Sequence, residues 1–169
     1  MKVILYMAIS ANGLIAKEND ETPWSDEEWE AFNQKAKEIG AILIGRRTWE
    51  LMQEDGSLSQ LPSSLILVLT SQTDLVSKDP RIVFVNSFEK ALGVAKFKGY
   101  DTLMVAGGAQ TNTTALRSGK ITEIFLDIEP FLLGKGIPLF HPLNQDFNLK
   151  LLGINKIGPN TVQLHYKVL

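Results

Sequence analysis

The chain has no cysteine. Disulfide cross-links and thiolate metal sites are therefore excluded, and nothing speaks for an oxidising compartment. Histidine is nearly absent too. His141 and His165 lie far apart in sequence without ligand-like neighbours, so no metal site is expected. No excess of either charge is present: 17 basic residues face 19 acidic ones, a net charge of −2. Such a balance leaves no basic footprint for nucleic acid. Long hydrophobic runs are missing as well. The first apolar stretch, Val3–Ile9, is too short to span a bilayer and has no secretory cleavage pattern after it. The three-glycine dinucleotide fingerprint, the Walker loop and the Gly-x-Ser-x-Gly elbow are all absent. The expectation is a cytoplasmic protein with neither membrane nor nucleic acid as partner.

Hydrophobic residues, in contrast, are plentiful at 44% of 169 positions. A chain of that size buries roughly 70% of its unfolded surface, enough for one sizeable core. No linker, repeat or low-complexity segment interrupts it, so residues 1–169 read as a single domain. Candidate strands are Val3–Ile9, Ala41–Gly45, Leu65–Thr70, Ile82–Val85, Thr102–Ala106, Ile121–Ile128, Phe147–Ile154 and Thr161–Val168. The early runs are continuously apolar, as in a sheet covered on both faces. The last two alternate more, as half-exposed antiparallel strands do. One helix is expected from Ser25 to about Ile39, stopped by Gly40. Ser25 and Glu28 match a capping box there, with Trp24 placed to staple onto Trp29. A short helix follows Arg47, a third begins at Ser87 with Phe88, Leu92, Val94 and Ala95 inward, and a fourth runs from Gly107-Gly108 to near Gly119. The order implies a three-layer α/β fold. Its central sheet is mixed but mostly parallel, with about eight strands and an antiparallel C-terminal hairpin.

Four segments could carry chemistry. Ser10–Trp24 is long for a strand-to-helix connection, and long loops often cover active sites. Gly45-Arg46-Arg47-Thr48 places two arginines at a helix start, where anions are favoured. Thr70-Ser71 sets hydroxyls at the end of a strand. Ala106-Gly107-Gly108-Ala109-Gln110-Thr111 is a strand, a glycine turn and a helix start, open to close approach of a pyrophosphate. The last three lie after strand ends, the usual ligand position in open α/β sheets.

In this order the segments resemble the dihydrofolate reductase-like superfamily. Ala8–Ala16 with Pro23-Trp24 is similar to its first strand and substrate loop, and Gly45-Arg-Arg-Thr-Trp-Glu50 to its Gly-Arg-x-Thr-Trp-Glu signature. Leu61-Pro62 to Thr70-Ser71-Gln72 resembles its third strand and cofactor loop, and Ala106–Ala109 its glycine turn beneath a nicotinamide. Lys120–Pro130 followed by Leu133-Gly-Lys-Gly-Ile-Pro-Leu-Phe140 looks closer to the reductase domain of riboflavin biosynthesis.

The resemblance implies an NADPH-dependent oxidoreductase, similar to dihydrofolate reductase or 5-amino-6-ribosylaminouracil phosphate reductase. It would pass a hydride to a C=N or C=O of a small pyrimidine- or pterin-like heterocycle. Carried over by position, Gly45, Arg46, Arg47 and Thr48 grip cofactor phosphates, and Thr70 and Ser71 hold the 2′-phosphate. Ala106, Gly107, Gly108, Ala109, Gln110 and Thr111 cradle the pyrophosphate and nicotinamide end, which Ala8 and Ile15 meet through their backbone. Trp24, Phe32 and Trp49 would border the substrate, a core or staple role being the equal reading for the two tryptophans, and Glu28 takes the place of the carboxylate facing it. Glu28 therefore has two readings, helix cap and proton donor. Relatives of this kind are often dimers, so a homodimer is an expectation by analogy. Two departures stand out. Ser63 or Ser64 occupies the place of the arginine that clamps a folate tail, and Asn12-Gly13 stands where the riboflavin-type loop has Asp-Gly. An NADP-binding protein without a dedicated reductase activity is the alternative.

Overall fold

Continuous apolar runs become the middle of a sheet. In the computed structural model, which describes residues 1–169, β1 (Lys2–Ser10), β3 (Ala41–Gly45) and β4 (Leu65–Leu69) are buried almost throughout. They join β5 (Ile82–Val85), β6 (Thr102–Val105), β7 (Glu123–Glu129), β9 (Leu149–Lys156) and β10 (Val162–Val168) in the order β5-β4-β3-β6-β1-β7-β10-β9. Pairing is parallel from β5 across to β7, and β10 is antiparallel to both its neighbours. The eight-stranded, mostly parallel sheet with its antiparallel tail agrees with the expectation.

Helices cover both faces, each through small or aromatic residues that let it lie close. α4 (Phe88–Phe97) and α5 (Ala109–Arg117) bury Phe88, Ala91, Ala95, Ala115 and Leu116 on one side, against Leu43, Leu67 and Leu103. Leu92 and Val94 of α4 are only partly buried, and Ala91 takes the central inward place. On the other side, α1 (Asp26–Ile39), α2 (Arg46–Glu54) and the short α3 (Ser57–Gln60) contribute Ala36, Trp49 and Leu58 against Ile42, Ile44 and Ile66. α2 starts at Arg46, ahead of the expected start after Arg47, because Gly45 serves as its N-cap.

Three elements were not foreseen. α3 is a single turn, too short to give a period. β2 (Leu14–Lys17) and β8 (Gly136–Pro138) form a separate two-stranded antiparallel pair. That pair ties down the long loop after β1. Asn12 reinforces it, donating to the Leu133 carbonyl at 2.7 Å and accepting from the Leu133 N–H at 3.1 Å. The capping box is also only half made. Ser25 Oγ accepts from the Glu28 N–H at 3.2 Å, but the Ser25 N–H donates to Glu129 at 3.2 Å, not to Glu28. Trp29 stacks on Phe32 at 5.6 Å, and no ring pair joins it to Trp24 as the staple required.

Leu67 is fully buried at the centre of β4. Leu67→Ala should lower unfolding free energy by roughly 3 kcal/mol, through lost transfer energy and a cavity. Thermal denaturation should then shift down by roughly 6–12 °C for a chain of this length.

Candidate active site

All parallel strands end on one side, and there the sheet opens into a cleft of about 1430 Å³. β3 and β6 meet at its floor. The Gly45 N–H donates to the Gly107 carbonyl at 2.8 Å. A Cβ on Gly45 would lie 2.6 Å from Thr111 Oγ1, so no side chain fits. Gly107 has φ +93°, a conformation only glycine adopts cheaply, and the Gly107–Gly108 peptide is cis. β1 outruns β6, whose last register pair is Leu5 with Val105, so Met7 and Ala8 border the cleft on that side.

Helix starts divide into two kinds. α1 and α4 are closed by Ser25 and Ser87, whose hydroxyls accept the Glu28 and Lys90 N–H groups, and carry acidic residues in the first turn. α2 and α5 have glycine N-caps, Gly45 and Gly108, with no side-chain cap and no acidic first-turn residue. The two open N-termini converge at the Gly45–Gly107 contact. Their free N–H groups and positive dipole ends make an anion cradle.

The residues picked out from the sequence come together here. Ala8, Ile15, Gly45, Arg46, Arg47, Thr48, Thr70, Ser71 and Ala106 through Thr111 all line the cleft, as do Trp24, Glu28 and Phe32. Trp49 does not. Its ring is buried in the core, edge-on to Phe84 at 5.1 Å, because the helical period that aims Thr48, Leu51 and Met52 at the cleft turns position 49 toward the sheet. Arg46 pairs with Glu50, and Arg47 donates to Asp20 at 2.8 and 3.1 Å, latching the loop to the start of α2. Some lining residues escaped the sequence reading, among them Asn86, Ser87 and Tyr6. Asn86 and Ser87 follow β5, and the strand-end rule applied to Ile82–Val85 would have found them. Tyr6, in the middle of an apolar run, gave no signal.

Tyr6 opens onto the chemistry beneath α1. Its hydroxyl donates to Asp127 Oδ2 at 2.6 Å, and Gln163 Nε2 donates to Asp127 Oδ1 at 2.9 Å. Glu129 accepts from Ser25 Oγ at 2.9 Å, Thr161 Oγ1 at 3.0 Å and the Ser25 N–H. Glu28, buried to 4% exposure beside these two carboxylates, accepts no hydrogen bond from the protein. Burial first, then the charges of Asp127 and Glu129, push its carboxyl up to about 8. Burial also raises Asp127, to about 6, against the hydrogen bonds from Tyr6 and Gln163.

A carboxyl that folding raises from 4.5 favours the folded state when protonated. Its contribution is complete below about pH 4.5 and is lost as pH rises through about 8. Asp127 behaves likewise but finishes near pH 6, which leaves the window above that to Glu28. Between pH 6 and 8.5 the chain should lose on the order of 2 kcal/mol on this account. Glu28→Gln should flatten the stability profile in that window, measured by denaturant unfolding at each pH.

Over 170 residues, the chain is 31% identical to the uncharacterized protein YwjB of Bacillus subtilis (strain 168), covering 98% of this chain and 97% of that one. It is 30% identical over 134 residues to the dihydrofolate reductase of Buchnera aphidicola subsp. Baizongia pistaciae (strain Bp), covering 79% of this chain and 75% of the relative. Its fold superposes with a TM-score of 0.78, at 16% identity, on the diaminohydroxyphosphoribosylaminopyrimidine deaminase/5-amino-6-(5-phosphoribosylamino)uracil reductase of Thermotoga maritima, covering 99% of this chain and 56% of that one. The model of the RibD C-terminal domain matches residues 1–163, and the chain belongs to that family.

Proposed function

We propose that the chain is a single-domain NADPH-dependent reductase of a small heterocycle. The observation that carries this reading is the pairing of two unlike ends in one cleft. One end is an anion cradle built from two open helix N-termini, and the other is a buried carboxyl with no internal partner. A dinucleotide phosphate needs the first, and protonation of a substrate nitrogen or oxygen needs the second.

The cradle fits the cofactor. Gly45, Gly107 and Gly108 allow close backbone approach, and the N–H groups at the starts of α2 and α5 would take the pyrophosphate. Arg46, Arg47, Thr70 and Ser71 would hold the 2′-phosphate, exchanging the present partners of the arginines for it. When bound, NADPH supplies the hydride. The chain's own part is to position, to exclude water and to move a proton. Glu28 holds its proton near neutral pH, since burial and two neighbouring carboxylates disfavour its charge. It gives that proton to the heteroatom of the C=N or C=O as the adjacent carbon is reduced, and regains one from solvent. Trp24 and Phe32 flank this end and would stack on a flat ring.

The purified chain should quench tryptophan fluorescence saturably with NADPH and more weakly with NADH. Arg47→Ala should weaken NADPH binding by about tenfold and barely alter NADH. Against a panel of reducible pterins and pyrimidines, Glu28→Gln should cut turnover by roughly two orders of magnitude or more while NADPH affinity stays the same. Absence of any NADPH binding would overturn the reading. Saturable binding with no turnover on the whole panel would favour an NADP-binding protein without reductase activity.

We propose further that two copies associate through β9. This strand ends the sheet, and Leu149, Leu151, Leu152 and Ile154 along it are between 41% and 62% exposed. An unpaired edge with an apolar row suits an isologous contact with itself, antiparallel strand to strand. Light scattering should give a dimer mass for the wild type and a monomer mass for Leu151→Lys combined with Ile154→Lys.

A further inference from the structure

We infer that the substrate of this cleft is a planar heterocycle of zero or positive net charge, without a phosphate or carboxylate tail. The inference rests on the reductase reading above and names the substrate class that goes with it. Its basis is the distribution of charge along the cleft. No lysine lines it anywhere, and its only arginines, Arg46 and Arg47, sit at the first turn of α2 beside the anion cradle. Both are already engaged, Arg46 by Glu50 and Arg47 by Asp20.

The other end is bounded by α1 and by the C-terminal end of α2. Its acidic side chains are Asp26 on α1, Glu54 and Asp55 where α2 stops, and the proton-holding Glu28. Directly beneath lie Asp127 and Glu129. An anionic tail placed here would lose its hydration, meet no cation and face like charge. The residues after Leu61-Pro62 offer no remedy. Ser63 is buried, its hydroxyl directed to the Ala36 carbonyl at 3.4 Å. The nearby guanidinium of Arg81 is held behind that loop by Asp79 and by the carbonyls of Leu58, Leu61 and Ser63, and it does not line the cleft. What this end does offer is aromatic surface from Trp24, Trp29 and Phe32, the latter two stacked within 14° of parallel. Flat rings are favoured against such walls, cationic ones most of all.

The test uses a matched pair of probes, 2,4-diamino-5-benzylpyrimidine and the same molecule with a carboxylate on its benzyl ring. Each is titrated calorimetrically into the full chain saturated with NADPH, and again into the chain alone. The tail-free probe should bind at least about tenfold more tightly than the carboxylated one. Ser57→Arg, which sets a guanidinium at the half-buried edge of this end, should narrow that ratio by strengthening only the carboxylated probe. Equal or tighter binding of the carboxylated probe to wild type overturns the inference, and so does failure of both probes to bind the NADPH complex. If NADPH itself does not bind but the preference between probes persists, the charge inference stands and the reductase reading falls.

Discussion

The site depends on one backbone hydrogen bond, from the Gly45 N–H to the Gly107 carbonyl. It joins the ends of two neighbouring parallel strands where each turns into a helix. The approach leaves no volume for a Cβ at position 45, because Thr111 at the start of α5 already fills it. With side chains excluded, α2 and α5 begin within reach of each other. Neither receives a side-chain cap from its own sequence, and the first-turn N–H groups of both helices are left without a capping acceptor beside the cleft. A serine at either N-cap would satisfy one of those donors and an acid in the first turn would offset the dipole, as happens in α1 and α4. The fold thus withholds from α2 and α5 the side-chain caps it gives α1 and α4, and the two left open are those that meet at the Gly45–Gly107 contact.

A parallel allocation governs the carboxylates under α1. Three of them lie close together in a poorly solvated place, an arrangement that costs free energy unless donors or protons compensate. Tyr6 and Gln163 serve Asp127, and Ser25 and Thr161 serve Glu129. No donor remains for Glu28, so a proton is its cheapest compensation. Ser25 is pivotal in this division. Its hydroxyl accepts from the Glu28 backbone while donating to Glu129, and its own N–H goes to Glu129 as well. Glu129 thereby takes over the half of the capping box that Glu28 would otherwise have closed, and the Glu28 side chain is left for the cleft.

That division explains where sequence reasoning succeeded and where it stopped. The β-strands of the core were legible because burial on both faces demands uninterrupted Val, Ile and Leu, as in Ala41–Gly45 and Leu65–Leu69. The open helix starts were legible because Gly-Arg-Arg and Gly-Gly-Ala stand directly after such runs. The fate of Glu28 was not. Ser25-x-x-Glu28 is a complete local pattern, and only a residue 104 positions further on, Glu129, competes for the Ser25 N–H. Sequence could not choose between the core and substrate readings of Trp49 for a related reason. The residue sits in the same Gly-Arg-Arg-Thr-Trp stretch as cleft residues, yet a rotation of one residue along the helix separates Thr48 in the cleft from Trp49 against Phe84. β2 and β8 lay beyond reach because each is too short to show alternation, and their pairing is set by the Asn12–Leu133 clasp between distant loops.

Charge is segregated along the cleft by the order of elements. Backbone dipoles supply positive potential at the strand ends, a consequence of parallel topology that every chain with this sheet inherits. The negative end owes nothing to topology. It comes from individual side chains on α1, at the end of α2 and on β7, positions that sequence can change without disturbing the sheet. A shared fold therefore constrains what binds at the first end far more than what binds at the second. The second end must be read from this chain's own residues. Here the reading is an aromatic wall over an unpartnered, proton-holding carboxyl, with the guanidinium of Arg81 turned away, paired with Asp79 and engaged in holding the Leu61–Ser63 loop in place.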